Sequence, residues 1–218
     1  MRKEYKISKE YVASLCEGYE VNNSIDQSLY AKYNAKRGLR NEDGTGVLVG
    51  LTNICNVHGY IMEEHEKTPV DGELIYRGIN VRDLVAGFSA ENWFGFEETL
   101  FILLFGHLPT KKQLLDFAQE LIRLMELPEY FTEDIIIKNP SRNIMNKMQS
   151  SVLALYAYDS NPEDLSLENT IRQSMELTAK LPIIAVHAYQ AEIRHFDNKS
   201  LYVHSPRVDF SIAENILY

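Results

Sequence analysis

Apolar positions are sparse along the first 35 residues, where Ile7, Tyr11 and Leu15 recur at i, i+4 and i+8, the spacing of one short helix in a polar, tyrosine-dotted leader. Residues Gly38 to Gly46 collect glycine, asparagine and aspartate, which favour tight turns, and read as a loop. From Val47 to Tyr76 the pattern changes to β-branched and apolar clusters (Val47-Leu48-Val49, Ile54, Val57, Tyr60-Ile61-Met62, Leu74-Ile75-Tyr76), broken by Pro69 and Asp71-Gly72. That pattern predicts a hairpin or small sheet near residues 47–76, with 65–72 as its turn. It is the only β-like zone in the reading.

After Ile79 the period is helical and proline supplies the punctuation. Short helices are predicted over Val81–Ala86 and Phe94–Phe105, the second stopped by Gly106 and Pro109. Thr110 and Gln113 have the spacing of a capping box and open a helix with Leu114, Ala118, Leu121, Ile122 and Met125 on one face, ending before Pro128. Another helix is expected from about Ser141 to Tyr158, with Ile144, Met148, Val152 and Leu155 inward and Asp159-Ser160-Asn161-Pro162 as its closing turn. Ile171, Met175, Thr178 and Leu181 carry the period through Pro182 to Ile183, Val186 and Tyr189, so a long helix kinked rather than ended at Pro182 is expected, buried in its second half. A turn over His204–Ser211 precedes a second capping-box pair, Ser211 and Glu214, and a new apolar pattern. The chain closes eight residues into that capped element, which reads as truncation.

Length and composition make this an ordinary globular chain: 218 residues, 45% hydrophobic and 24% charged. A chain of that size buries about two-thirds of its unfolded surface. The formal net charge of −9, without a basic run, argues against a nucleic-acid partner. Lys36-Arg37 and Lys111-Lys112 read as solvated pairs. Cys16 and Cys55 form no CxxC unit, which favours a reducing cytoplasm. Neither a secretory signal nor an 18-residue apolar run is present, so export and membrane insertion are not expected.

Candidate chemistry is thin. The six histidines, His58, His65, His107, His187, His195 and His204, form no metal-ligand motif. Cys55 lies three residues from His58, a weak thiol–base pairing. Gly44-Thr45-Gly46 lacks the remaining positions of either a dinucleotide fingerprint or a P-loop, and Gly78 reads as a turn. The acidic groups Asp71/Glu73, Glu97-Glu98 and Glu133-Asp134 read as helix N-terminal and turn charges. No residue is therefore assigned a catalytic, substrate-binding or metal role.

Several segments in shared order carry a family resemblance. They are Gly38-Leu39-Arg40, Gly44-Thr45-Gly46-Val47 and Gly50-Leu51-Thr52-Asn53-Ile54, then Asp71-Gly72-Glu73-Leu74, Tyr76-Arg77-Gly78-Ile79 and Asp83-Leu84. Next come Phe96-Glu97-Glu98, Leu103-Leu104-Phe105-Gly106-His107-Leu108-Pro109-Thr110, Asn139-Pro140-Ser141, Met145-Asn146, Tyr158-Asp159, Leu181-Pro182 and Phe210-Ser211-Ile212-Ala213-Glu214-Asn215-Ile216-Leu217. Over Gly38 to Tyr218 the chain resembles the N-terminal part of citrate synthases of bacterial type. The resemblance implies a mainly α, multi-helical large domain, partial here, with a small sheet. Residues 1–37 would be a leader, and 38–218 the N-terminal part of that domain.

It further implies a dimeric cytoplasmic enzyme condensing acetyl-CoA with oxaloacetate, without a cofactor beyond its substrates. In the family an aspartate removes a proton from the acetyl methyl group while histidines steady the enol and polarise the ketone. The family's His-Ala-Asp/Glu-His, His-Gly-Gly-Ala-Asn and Gly-His-Arg stretches are absent from these 218 residues. Val208-Asp209-Phe210 precedes the Ser-x-Ala-Glu-Asn segment, whereas the family's catalytic aspartate follows it, so Asp209 takes no role. Three readings follow: an N-terminal segment inactive alone, one subunit of a split two-chain citrate or methylcitrate synthase, or a non-catalytic helical oligomerisation module. The first two entail a second copy or a complementary C-terminal polypeptide as partner.

Overall fold

A computed structural model of the protein describes residues 26, 28–33, 38–40, 46–47, 52–63 and 66–218. They belong to two compact units, Met1–Leu51 and Thr52–Tyr218. In the first, Asp26 Oδ1 accepts the Ser28 N–H at 2.9 Å and starts helix α1, Ser28–Lys32. An antiparallel bridge joins Arg40 to Gly46 across the glycine-rich segment. The expected leader helix around Ile7, Tyr11 and Leu15, and the cluster Leu48-Val49, lie outside the described residues.

The second unit opens with strands β1, Cys55–Glu63, and β2, Glu66–Tyr76. Their register runs from Cys55↔Tyr76 to Glu63↔Glu66. Residues 66–72, expected as the turn, are therefore strand. The breakers Pro69, Asp71 and Gly72 are accommodated by an irregularity opposite His58 to Tyr60, where β2 carries extra residues. A bulge releases proline from the ladder bond it cannot donate. The sheet also extends beyond the expected zone, because Ile79–Asn80 forms β3 against β2. Arg77 and Gly78 both have positive φ, 48° and 86°, as a two-residue hairpin turn of the primed type requires.

Helix α2, Val81–Ala90, is capped by Asn80 and is longer than expected. Helix α3, Phe96–Phe105, starts and stops at left-handed glycines, Gly95 and Gly106. Gly95 is needed twice over: its φ is 69°, and a Cβ there would lie 2.3 Å from the Phe88 ring. Helix α4, Lys111–Leu124, has the expected capping box. Its deepest residues are Phe117 and Leu121, with Ala118 and Ile122 at the margin. A π-helical turn, Thr132–Ile137, follows.

Helix α5, Ile144–Leu155, and one 3-10 turn, Tyr156–Tyr158, lead to α6, Leu167–Phe196, which runs 30 residues through Pro182. An internal proline costs about 3 kcal/mol, so packing on both sides of α6 has to outweigh it. On one side Phe101, Phe117, Leu121, Met125 and Ile212 surround Ala179 and Ile183. On the other, Phe131, Ile136 and Leu155 enclose Ile184, Ala188 and Ala191. Each fully buried aliphatic side chain of this kind contributes about 1.5–3 kcal/mol. Helix α7, Ile212–Leu217, closes the described chain with its Ser211/Glu214 capping box.

Arg77 fastens the sheet to the helices. Its guanidinium donates to the Leu103 carbonyl at 2.9 and 3.3 Å and to Asn53 Oδ1 at 2.8 Å. A cation over the last turn of α3 also complements the helix dipole.

Candidate functional site

The π-helical turn positions the first member of the site. Its five-residue hydrogen-bond pattern is seen as Lys138 N–H to Glu133 C=O at 3.0 Å, and by the same pattern the Ile135 carbonyl would require an N–H at position 140, which is proline. The Ile135 carbonyl is instead taken by the ammonium of Lys147, a buried lysine from α5. Burial holds that ammonium below its usual range. The widened turn presents Thr132 to α6, where its hydroxyl meets His187 Nδ1 at 3.0 Å.

His187 is 6% exposed, and its other nitrogen, Nε2, lies 3.3 Å from the His204 carbonyl. A carbonyl can only accept, so Nε2 carries the proton and Nδ1 accepts from Thr132. Burial lowers the imidazole pKa, while the bond to the His204 carbonyl and the charge of Glu133 work in the opposite direction. The neutral tautomer is thus held from both ends. Two clefts meet at this ring. The larger, about 610 Å³, is bordered by Arg123, Glu126, Glu133, His187 and His204. The smaller, about 280 Å³, adds Gln190, Tyr202, Asn215 and Tyr218.

The segment leading into α7 is built as tightly. Asn215 accepts the Arg207 N–H at 2.7 Å and donates to the carbonyls of Arg207, Phe210 and Ser211. Arg207 pairs with Asp209 at 2.6 Å and lies over the rings of Phe210 and Tyr218. The buried carboxylate of Glu97 accepts the Ile212 N–H at 2.9 Å, a negative charge at a helix N-terminus. Through its two ring nitrogens His187 ties the π-helical turn to α6 and to the segment before α7.

The remaining candidates are dispersed. Cys16 and His65 lie outside the described residues, as do Lys36 and Arg37. Cys55 is an exposed free thiol. It sits three positions from His58 along β1, so the two side chains point to opposite faces and form no thiol–base pair. His58 faces Glu73 across the hairpin, and Glu73 accepts from Asn80 at 2.8 Å. His107 lies 3.1 Å from the Phe105 carbonyl, and His195 packs edge-on against Phe196. Among the described residues no group of three or more His, Cys, Asp or Glu side chains could hold a metal ion. No helix among them is long and apolar enough to cross a membrane.

Sequence reasoning missed the Thr132–His187 contact and a charged cluster at the start of α6. There Arg172 donates to both oxygens of Asp159, at 2.7 and 2.9 Å, and to Glu176 at 2.8 Å, beside a cleft of about 500 Å³. The Asp159-Ser160-Asn161-Pro162 turn was the one available signal for it.

A central buried helix flanked by two apolar clusters, with a small sheet clasped to one helix end, defines a mainly α, multi-helical fold. The profile of the family described as "Citrate synthase, C-terminal domain" matches residues 41–218. The citrate synthase of Saccharolobus solfataricus is 29% identical over 65% of this chain and 34% of its own length. Citrate synthase 2 of Bacillus subtilis is 31% identical over 68% of this chain and 37% of its own. The crystal structure of the citrate synthase from Pyrobaculum aerophilum superposes with a TM-score of 0.62 at 26% identity, covering 79% of this chain and 40% of that one. The chain belongs to the citrate synthase family, and it spans little more than a third of the length of these curated relatives.

Proposed function

We propose that these 218 residues form the N-terminal part of the large domain of a citrate-synthase-type acyltransferase, with residues 1–37 as a leader, and are inactive by themselves. The parent reaction is acetyl-CoA plus oxaloacetate plus water giving citrate plus CoA. No cofactor beyond the substrates is assigned, and the compartment is the cytoplasm. The observation that carries the reading is the family match across residues 41–218. Inactivity rests on the missing His-Ala-Asp/Glu-His, His-Gly-Gly-Ala-Asn and Gly-His-Arg stretches.

A two-chain enzyme, in which a separate polypeptide supplies the missing groups, is the second reading. The apolar side chains exposed on α5, Met145 at 67% and Leu153 at 77%, favour it, since such surface invites a covering partner. The test is CoA release from acetyl-CoA and oxaloacetate, with and without a C-terminal segment of a related citrate synthase. No turnover alone and turnover on mixing is the expected result. Turnover by the purified chain alone would overturn the claim of incompleteness.

A further inference from the structure

A cleft of about 550 Å³ opens between the end of α2, the start of α3, α4 and the segment preceding α7. Its apolar wall includes Trp93, Phe94, Leu115 and Val208, which are 47%, 56%, 49% and 80% exposed. Exposed Trp and Phe side chains are of the kind enriched in the buried core of protein–protein interfaces. In the loop presenting them the Trp93 N–H donates to the Phe88 carbonyl at 2.8 Å, and Gly95 follows in a conformation only glycine takes without strain.

Five carboxylates border the same cleft, and no lysine or arginine does. Three are already engaged. Glu97 holds the Ile212 N–H, Asp209 pairs with Arg207, and Glu214 closes the α7 capping box. Glu91 and Glu98 have neither an ion pair nor a hydrogen-bond partner from their side chains among the described residues. They also repel: burial first, and then the charge of Glu91, raises the Glu98 carboxyl pKa although it lies in the first turn of a helix.

From this we propose that the cleft is a docking site for a segment of a partner polypeptide carrying an arginine or lysine flanked by apolar side chains. A wholly apolar occupant would leave two carboxylates dehydrated without a counter-charge. A simple cation would leave the aromatic wall in water. A second copy of this chain, at a net charge of −9 and bearing the same acidic rim, would add repulsion. A guanidinium satisfies both demands, because it pairs with carboxylates and stacks on aromatic faces.

Trp93 is the only tryptophan in the chain, so its emission reports on this cleft. Peptides selected from a random library on the 218-residue protein are then titrated in solution. The expected binders carry a basic residue between apolar ones and change Trp93 emission saturably. They lose about tenfold in affinity to a Glu91→Gln/Glu98→Gln variant, and bind more weakly as salt rises. Binders without a basic residue, affinity unaltered by the double variant, absence of any saturable binder, or a Trp93 change driven by protein concentration alone would each overturn the proposal. The two substitutions replace carboxylates that make no internal bond, so the fold stands as its own control by circular dichroism.

Discussion

His187 shows how one buried group can tie stability to pH. Because burial lowers its folded-state pKa below the ordinary 6.5, the unfolded chain binds more protons in the interval between the two values. The stability associated with the neutral ring is therefore complete above pH 6.5 and is lost as pH falls through 6.5 toward the folded value. Thermal melts across that window should fall more steeply for the wild type than for His187→Gln. Well above it the variant should lose about 1–3 kcal/mol, because the Thr132 hydroxyl gives up its partner. Parallel pH profiles for the two proteins would show that the ring is not held neutral. Lys147 and Ser151 pose the opposite question, since both are buried on α5 and the Ser151 hydroxyl finds no hydrogen-bond partner among the described residues.

Between elements, the joint between the 3-10 turn and α6 is the place where charge does structural work. Asp159 accepts from the Asn161 N–H, from Gln173 and from Arg172, and these bonds hold its carboxyl at about 2, against an ordinary 3.8. A depressed carboxylate contributes stability that is fully present above pH 3.8 and is lost as pH falls through about 2. Asp159→Asn should therefore be less stable than the wild type at neutral pH, with the gap closing as the pH is lowered through that interval. A gap that stays constant on acidification would show that the carboxylate does not hold the joint. The hairpin teaches a related lesson about elements. Pro69 and Asp71-Gly72 are breakers in local terms, but a paired strand can absorb them by bulging, so the ladder continues to Glu66.

At the scale of the molecule, α6 carries both apolar clusters while α5 leaves Met145 and Leu153 exposed, with Tyr156 exposed on the 3-10 turn that follows. We propose that, without a complementary polypeptide to cover it, this surface pairs with a second copy of the chain, as the dimer implied by the family resemblance would require. Sedimentation of the 218-residue protein should show a concentration-dependent dimer, and Leu153→Lys should shift it to monomer by removing about 1–3 kcal/mol of apolar burial per copy. A wild type that stays monomeric at high concentration would reject that seam.

Much of the helical architecture was written in local chemistry. The Thr110/Gln113 and Ser211/Glu214 boxes, the stop at Gly106 and the long apolar period around Pro182 each act within a turn or two, and each stands in the structure as read. The family likeness belonged to the same level, since it rested on ordered short segments. What depended on contacts between distant residues was not legible. The register of β1 on β2 is settled by pairing over the whole hairpin rather than by its breakers. Phe117 displaced Ala118 from the centre of α4 because α6 and the ring of Phe101 lie on that side. The π-helical turn needed Lys147 to meet a carbonyl that Pro140 could not, and the site needed Thr132 and His187, 55 residues apart, to share a hydrogen bond. Sequence determined the helix ends marked by a capping box or a stop glycine, because caps and breakers act through neighbouring backbone groups. Only the tertiary structure could decide which polar side chains are buried together, because that depends on elements folding back across one another.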